Sequence, residues 1–460
     1  MKPYFEDNLV KIFNKDCRDM GELPDSSVQC VVTSPPYLGL RKYKGEQDLI
    51  WGGKQDCQHK WMAETKTMEY VQGNPEFARP HREHKNFTAQ TNTCSLCGAW
   101  RGAYGLELTP EMYIEHTILF LREIRRVLRK DGVVFLNLGD SYWGGKGQSG
   151  SRGAEYQGER HDRGESLNTE YQTLGGTKQT KPTDGKHPFI KPKDLCLIPF
   201  RVAIAAQEDG WWVRSVIIWS KPNPMPESCK DRPTESHEYI LMLTKSAHYY
   251  WDMDAIREPN LPQSIKRAEY PVGAFGSYSG DGEIRQPSKR TGKTVMEQLH
   301  PSGRNIRTVW TFATEPYPEA HFATFPTELP KRCILAATSE KGNCSKCGKP
   351  WVRISEKSYE WQTKGKTLGT KQKQRNAMSD SYAIPGHAFS KVETLGWKPQ
   401  CGCNAPAIPA LVLDPFSGSG TTLMVAKQLG RKAIGIETSA EYCKLCQRRV
   451  EEVSLPMLLA

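Results

Sequence analysis

The chain has 460 residues, of which 37% are hydrophobic, 10% aromatic and 25% charged, a composition that excludes a largely disordered protein. At about 150 residues per domain the length suggests roughly two or three domains. Lys and Arg number 63 against 52 Asp and Glu, a net charge of +11 that favours polyanionic partners without specifying one. No run approaches the ~18 to 20 apolar residues of a membrane span, and the opening MKPYFEDNLVKIFNKD lacks the apolar centre of a signal peptide. The expectation is a soluble, cytoplasmic protein with no membrane partner, whose 14 cysteines are reduced thiols or metal ligands rather than disulfides.

In chain order, Val28 to Thr33 (VQCVVT) is a short β-branched run that stops at Ser34-Pro35-Pro36, as a buried strand ending in a rigid turn does. After an insertion, Pro110 to Arg129 places Ile114, Ile118, Leu121, Ile124, Arg125 and Leu128 near helical spacing, with Pro at the start and basic residues at the end. Asp131-Gly132 predicts a turn into a second buried strand, Val133 to Leu138, completing a βαβ unit and implying a largely parallel sheet. Residues 144–187 change to Gly, Gln, Ser, Thr and Lys and predict a flexible loop. A helix over Pro199 to Glu208 and strands over Trp211 to Trp219 and Glu238 to Thr244 continue the sheet through 188–251. Residues 252–310, rich in Pro, Gly, Ser, Arg and Lys with isolated aromatics, are the candidate recognition region. The final segment, 311–460, returns to α/β: a strand ending near Leu413, a Gly-rich turn, a helix over Thr422 to Leu429, a strand over Lys432 to Ile436 and a helix over Ala440 to Val450.

Two segments carry chemistry. Asp414-Pro415-Phe416-Ser417-Gly418-Ser419-Gly420-Thr421-Thr422 lies between a strand and a helix, where glycines let backbone approach a ligand and N–H groups point outwards. It lacks the Gly-Lys-Ser/Thr ending of a triphosphate loop, while a dinucleotide site stays open on spacing. Glu437, ending the next strand about twenty residues on, stands where a carboxylate accepts hydrogen bonds from a ribose; a turn that only packs helix on strand is the alternative. In Thr33-Ser34-Pro35-Pro36-Tyr37 two prolines stiffen the backbone, so that the Ser34 hydroxyl and Pro35 carbonyl can be held as acceptors beside the aromatic face of Tyr37. Such a pocket suits a flat, amine-bearing ring, as a flipped base is; a merely stiffened turn is the competing reading.

In this order the two segments resemble the amino-group DNA methyltransferases of the class in which the catalytic motif precedes the S-adenosylmethionine loop. TSPPY is similar to the catalytic motif and DPFSGSGTT to the cofactor loop. The resemblance extends over most of the chain through Asn14-Lys15-Asp16, LNLGDSYW, IIWSKPNPMPE and HFATFPTELPKRCI. It implies an α/β fold, a doubly wound Rossmann-like sheet with circularly permuted motif order, whose carboxyl edge carries cofactor and base side by side. It assigns catalysis to Ser34, Pro35, Pro36 and Tyr37. It assigns cofactor contacts to Asp414, Phe416, Gly418, Gly420, Thr421 and Glu437, and further ones to Asp16, Phe322 and Pro326 within the stretch Phe322 to Pro326. Against these last, Asp16 as a solvated turn residue and Phe322 and Phe325 as core remain open.

The implied reaction is direct displacement of the sulfonium methyl by an exocyclic base amine in double-stranded DNA. No Cys directly follows a Pro, so the covalent cysteine of carbon-methylating relatives is not expected. Ser before Pro-Pro-Tyr is commoner in cytosine-N4 than in adenine-N6 members, which favours N4-methylcytosine. The rivals are adenine N6 methylation, a non-catalytic zinc-containing DNA-binding protein and, more weakly, RNA methylation. The basic segments Lys178 to Lys193 and Lys289 to Arg307 are either phosphate contacts or solvated loops. A bacterial or phage origin, and a cognate restriction endonuclease as partner, are compatible with the resemblance.

Cys94-Ser95-Leu96-Cys97 is a zinc knuckle in form, and Cys57 and His59 upstream complete a Cys3His set. Cys344 and Cys347 pair in the same way with Cys401 and Cys403. Two structural zincs are therefore expected, closed by four protein ligands each and remote from the chemistry, with redox pairs as the alternative. Cys443 and Cys446 share a helix face and read as core. The expected organisation is a catalytic half over 1–143 with a zinc insertion at about 52–104, the loop 144–187, the sheet continuation 188–251, the recognition region 252–310 and a cofactor half 311–460 with a second zinc insertion at about 340–405.

Overall fold

The computed structural model describes residues 2–39, 48–72, 81–143, 187–227, 229–264, 299–300, 302–315, 325–362 and 387–453, and the side chains of all of these except 63–91 and 357–391. The expected loop 144–187, but for His187, and much of the recognition region lie outside the described residues. The chain divides into two compact units, one made of Met1–Tyr249, Thr308–Ile334 and Leu411–Ala460, the other of Tyr250–Arg307 and Leu335–Ala410.

The first unit is built on a nine-stranded sheet. In chain order its strands, with those of a separate four-stranded sheet (β4-β7-β6-β5), are β1 (Phe5–Glu6), β2 (Val10–Asn14), β3 (Val28–Thr33), β4 (Leu49–Trp51), β5 (Trp61–Gln72), β6 (His81–Cys94), β7 (Trp100–Gly102), β8 (Leu128–Leu138), β9 (Trp212–Ser220), β10 (His237–Thr244) and β11 (Val309–Thr311). The second unit contributes β12 (Asn343–Cys344), β13 (Trp351–Gln362), β14 (His387–Pro399) and β15 (Ala407–Ile408), after which β16 (Leu411–Asp414) and β17 (Lys432–Glu437) rejoin the large sheet. The sheet order is β1-β2-β17-β16-β3-β8-β10-β9-β11. β2, β17, β16, β3 and β8 run parallel, while β10 is antiparallel to both its neighbours.

Parallel strands are covered on both faces, and the residues of β3 are accordingly all buried. The consequence for the motif order is direct. β3, which leads into TSPPY, and β16, which leads into the Gly-rich turn, pair as Val412↔Cys30 and Leu413↔Val31 although most of the chain separates them. Phe13, Val31, Val134, Leu136, Leu413 and Ile434 from this sheet share one core with Phe120, Leu121 and Ile124.

Those last three come from α1 (Pro110–Val127), whose start and stop follow from local chemistry. Thr109 caps it by accepting the Met112 N–H at 3.2 Å, Pro110 sits in the first turn and Arg125 and Arg126 in the last. Further α-helices among the described residues are α2 (Ile198–Glu208), α3 (Glu328–Ala337), α4 (Thr421–Gln428) and α5 (Ala440–Glu451). Among the described residues no helix is long and apolar enough to cross a membrane.

Two expectations change. No turn interrupts β8 at Asp131-Gly132; the strand begins at Leu128, directly after α1. Gln29 of β3 donates to the Asp131 carbonyl at 3.1 Å and accepts from Arg129 at 3.0 Å, and an irregularity in pairing between Val28 and Cys30 takes up the extra length. The long antiparallel hairpins β5–β6 and β13–β14 were not anticipated. Their sequences are polar on both alternating sets of positions, so they carry little period-2 signal.

Candidate active site

The carboxyl ends of β3, β8 and β9 and the amino end of β10 meet at one edge of the sheet, because β10 runs opposite to β8 with Tyr239 facing Leu138. There the Ser34 hydroxyl lies 3.1 Å from the Tyr37 hydroxyl. Tyr37 donates to the Glu238 carboxylate at 2.6 Å. Asn137, from the end of β8, donates to Tyr37 at 2.8 Å and to Glu238 at 2.7 Å, and Lys221, one residue beyond β9, pairs with the same carboxylate.

The backbone of the motif is held from beneath. Tyr113 of α1 donates to the Pro36 carbonyl at 3.0 Å, and Gly39 donates to the Gly105 carbonyl at 2.7 Å. Gly105 (φ +90°) and Gly139 are required by close approach: a Cβ on Gly139 would meet the Tyr37 ring at 2.6 Å, and one on Gly105 would meet Pro36 at 2.9 Å. Gly105 is fixed in turn by donating to the buried Glu107, which His116 engages at 3.0 Å. Asn137, Lys221, Glu238, Gly105 and Gly139 were missed as functional candidates. Asn137, Gly139 and Lys221 fall in the LNLGDSYW and SKPNP stretches that carried the resemblance, whereas Glu238 had no signal beyond being a carboxylate at a strand end.

The neighbouring strand ends carry the other motif. Asp414, fully buried, accepts from the Thr33 hydroxyl at 2.7 Å and from the Phe416 N–H at 3.1 Å, tying the start of TSPPY to the Gly-rich turn. Burial pushes its carboxyl up to about 6 against the opposing hydrogen bonds from Thr33, Thr422 and Phe416. Glu437 accepts from the Gly418 N–H and the Ser439 N–H, each at 2.9 Å, and its pKa is raised, first by burial.

Gly418 and Gly420 both have positive φ, +48° and +80°. Their reasons differ. A Cβ on Gly418 would meet nothing nearer than the Phe416 carbonyl at 3.9 Å, so the turn is open there beside Glu437. One on Gly420 would strike Cys446 Sγ at 2.4 Å, so this glycine lets α4 pack on α5. Cys443 and Cys446 are fully buried on α5, as core residues are. Phe416 packs its ring on Phe120 and Tyr104, and Thr421 receives the Arg449 guanidinium at 3.0 Å.

The remaining candidates are spread more widely. The Asp16 carboxylate is occupied by its own neighbour, accepting the Arg18 N–H at 2.9 Å and its guanidinium at 2.8 Å. Pro326 is buried just before α3, its carbonyl accepting from Leu329 at 3.1 Å. Phe322 lies outside the described residues, as do most of Lys178 to Lys193 and of Lys289 to Arg307. Within these basic segments the described Lys193 pairs with Asp231 at 2.6 Å, and Arg304 with Glu258 at 2.8 Å.

The cysteine clusters assemble as two four-residue groups, Cys57, His59, Cys94 and Cys97 in the first unit and Cys344, Cys347, Cys401 and Cys403 in the second, the ligand atoms of each lying within 4.8 Å of one another. Cys57 and Cys94 sulfurs are 4.0 Å apart, and Cys97 Sγ is 3.4 Å from His59 Nδ1. Sulfurs about 2.3 Å from one tetrahedral ion stand at roughly this spacing, so the sets fit zinc. Burial opposes ionisation of Cys94, yet the N–H groups of Leu96 and its neighbours and His59 bring the thiol down to about 6. For Cys344 the Cys347 N–H leads to the same value of about 6. Each group closes the open end of a long hairpin, β5–β6 or β13–β14.

The sequence profile of a family described as DNA methylase matches residues 28–345 and 409–448, most of the chain. The type II methyltransferase M.Cfr9I of Citrobacter freundii is 29% identical over 445 residues, 96% of this chain and 88% of that protein. M.SmaI of Serratia marcescens is 28% identical over 448 residues, 97% of this chain and 92% of that one. Among solved structures, the PvuII DNA methyltransferase (cytosine-N4-specific) superposes with a TM-score of 0.44 at 13% identity, over 98% of this chain and 91% of that chain. The profile match over most of the chain, spanning both the strand-end serine–proline motif and the Gly-rich turn, makes the chain a member of the DNA methylase family, the N6- and N4-amino methyltransferases.

Proposed function

We propose that the protein transfers the methyl group of S-adenosylmethionine to the N4 amine of a cytosine flipped out of double-stranded DNA. The observation that carries this reading is the Thr33–Asp414 hydrogen bond, which joins the catalytic turn to the Gly-rich turn at one sheet edge. S-adenosylmethionine, when bound, supplies an electrophilic methyl on a sulfonium sulfur. The open face over Gly418 beside the Glu437 carboxylate fits such a ligand, because ionised carboxylate oxygens that accept one N–H each retain capacity for ribose hydroxyls.

The chain's own residues do the rest. The lone pair of a base amine is delocalised into its ring, so the Ser34 hydroxyl and Pro35 carbonyl, accepting hydrogen bonds from its two N–H groups, return density to nitrogen as the N–C bond forms and the S–C bond breaks, the thioether leaving with the bonding pair and the surplus amine proton passing to solvent. The Tyr37 ring, seated on Gly139, offers a face on which an extruded base can stack. Holding the two reactants in line supplies much of the remainder, at best ~7 to 11 kcal/mol. Serine at position 34 supports cytosine over adenine.

The two cysteine groups we assign to structural zinc, each locking the base of a hairpin and neither part of the methyl transfer. Purified protein releasing two equivalents of zinc on thiol modification, and one after Cys94→Ser, is the expected result.

The test of the reaction is tritiated S-adenosylmethionine with unmodified plasmid, followed by nucleoside mass spectrometry, alongside Ser34→Ala and Tyr37→Ala. N4-methylcytosine that disappears in the variants is expected. N6-methyladenine would overturn the choice of base, and absence of cofactor binding would overturn the reaction.

A further inference from the structure

We propose that Glu238 is a positioning residue that sets the direction of every hydrogen bond around the catalytic turn, so that the Ser34 hydroxyl faces its substrate as an acceptor and never as a donor. The inference rests on the reading that Ser34 accepts a proton of the base amine. A serine hydroxyl can present either its proton or its lone pairs, and only the second helps an amine attack. Something in the site must decide which.

The geometry decides it from the carboxylate outwards. Glu238 as a carboxylate can only accept, and the Lys221 ammonium pairs with it. Its Oε2 takes the Tyr37 proton at 2.6 Å and one Asn137 amide proton at 2.7 Å. The single proton of the Tyr37 hydroxyl is thereby committed. The second Asn137 amide proton goes to the Tyr37 oxygen at 2.8 Å. At the 3.1 Å contact between Tyr37 and Ser34, Tyr37 has no proton left to give, so Ser34 is the donor. Its proton points inwards; one lone pair faces the Asn137 amide at 3.4 Å and the other is left for the substrate.

Asn137 supplies an independent sign that the polarity is imposed. The residue is 1% exposed and its Oδ1 is buried with no hydrogen-bond partner among the described residues, while its Nδ2 serves Glu238, Tyr37 and, at 3.4 Å, Ser34. Turning the amide over would satisfy neither Glu238 nor Tyr37, because it would bring one oxygen against the carboxylate. The network keeps a buried acceptor unpaired in order to keep both donors on the Glu238 side. The four contributors come from the turn after β3, the end of β8, the residue after β9 and the start of β10, so no contiguous motif contains the device.

Glu238→Gln is nearly isosteric but carries donors of its own, and lets Tyr37 turn its proton towards Ser34. The expected result is a fall in kcat of roughly 10- to 100-fold, the worth of a hydrogen bond to a charged group, with KM for DNA, Kd for S-adenosylmethionine and Tm essentially unchanged. Tyr37→Phe, which keeps the ring and removes the relay hydroxyl, should lower kcat similarly, and the Tyr37→Phe/Glu238→Gln double variant should be no worse than either. In a Ser34→Ala background Glu238→Gln should have no further effect. A multiplicative loss in that background, an unchanged kcat in Glu238→Gln, or a loss that appears in KM or Tm instead of kcat each overturns the proposal and leaves the role of Ser34 standing. Full turnover by Ser34→Ala alone would overturn the underlying reading, and this one with it.

Discussion

The two halves of the sheet's carboxyl edge are built by different means. Around β16 and β17 the Gly-rich turn is held by main-chain donors on carboxylates, Gly418 and Ser439 on Glu437 and Phe416 on the buried Asp414, all within one stretch of chain. Around β3, β8, β9 and β10 the Ser-Pro-Pro-Tyr turn is held largely by side chains acting on side chains, with Tyr37, Asn137, Lys221 and Glu238 drawn from distant segments. Main-chain donors at a turn follow from backbone shape, so a local motif encodes them. A side-chain network depends on which strands are neighbours, and so on the whole sheet. The first arrangement suits a ligand that is bound the same way in every turnover, the second one whose protons must be directed.

The comparison is sharpest if each half fails in its own way. Ser34→Ala should lower kcat by roughly 10²- to 10³-fold, as loss of one directed hydrogen bond in a transition state does, while Kd for S-adenosylmethionine measured by calorimetry stays unchanged. Glu437→Gln should do the reverse, raising that Kd by roughly 10- to 100-fold with kcat at saturating cofactor largely kept. Both variants losing kcat and binding together would break the division.

Gly420→Ala should act on stability rather than on either half's chemistry. Its new Cβ meets Cys446 Sγ at 2.4 Å and its φ of +80° is left-handed, so unfolding by urea should show a loss of about 2 to 4 kcal/mol. Gly139→Ala, which presses on the Tyr37 ring instead of on a helix, should spare Tm more and lower kcat.

The smallest effect is in pH dependence. Burial holds the Asp414 carboxyl at about 6, above its ordinary 3.8, so the folded state keeps a proton that the unfolded chain has released. The stabilising contribution of that proton is full below pH 3.8 and is lost as pH rises through about 6. Asp414→Asn does not titrate and retains an acceptor for Thr33 and Phe416. Without cofactor, its Tm relative to the parent should therefore climb between pH 4 and pH 7 by the equivalent of no more than about 3 kcal/mol. A flat difference would show that the carboxyl titrates alike in both states.

Legibility followed the same division. Strands β3, β16 and β17 and helices α1, α4 and α5 could be read to within a residue or two, because buried parallel strands are continuous apolar runs and the helices carry Pro and basic residues, or a Gly turn, at their ends. The cysteine groups could be read from spacing alone, because a knuckle needs its ligands close in sequence, and the chain does bring all eight residues together as two sets of four. The continuity of β8 through Asp131-Gly132 could not. That dipeptide is a turn by local preference, and it is overruled by Gln29 and Arg129, whose contact exists only once β3 and β8 are paired.

By itself, then, the amino-acid sequence determined the two motifs, their order along the chain, the members of the two cysteine groups and the family, each read from short local patterns and their succession. Only the tertiary structure decided that Asp414 would bind Thr33, that Gly139 would underlie Tyr37 and that Glu238 would join Tyr37 to Lys221. Those contacts arise from the strand order β16-β3-β8-β10-β9, and a strand's choice of neighbour is settled by how the apolar faces of the whole sheet are buried, which no single segment specifies.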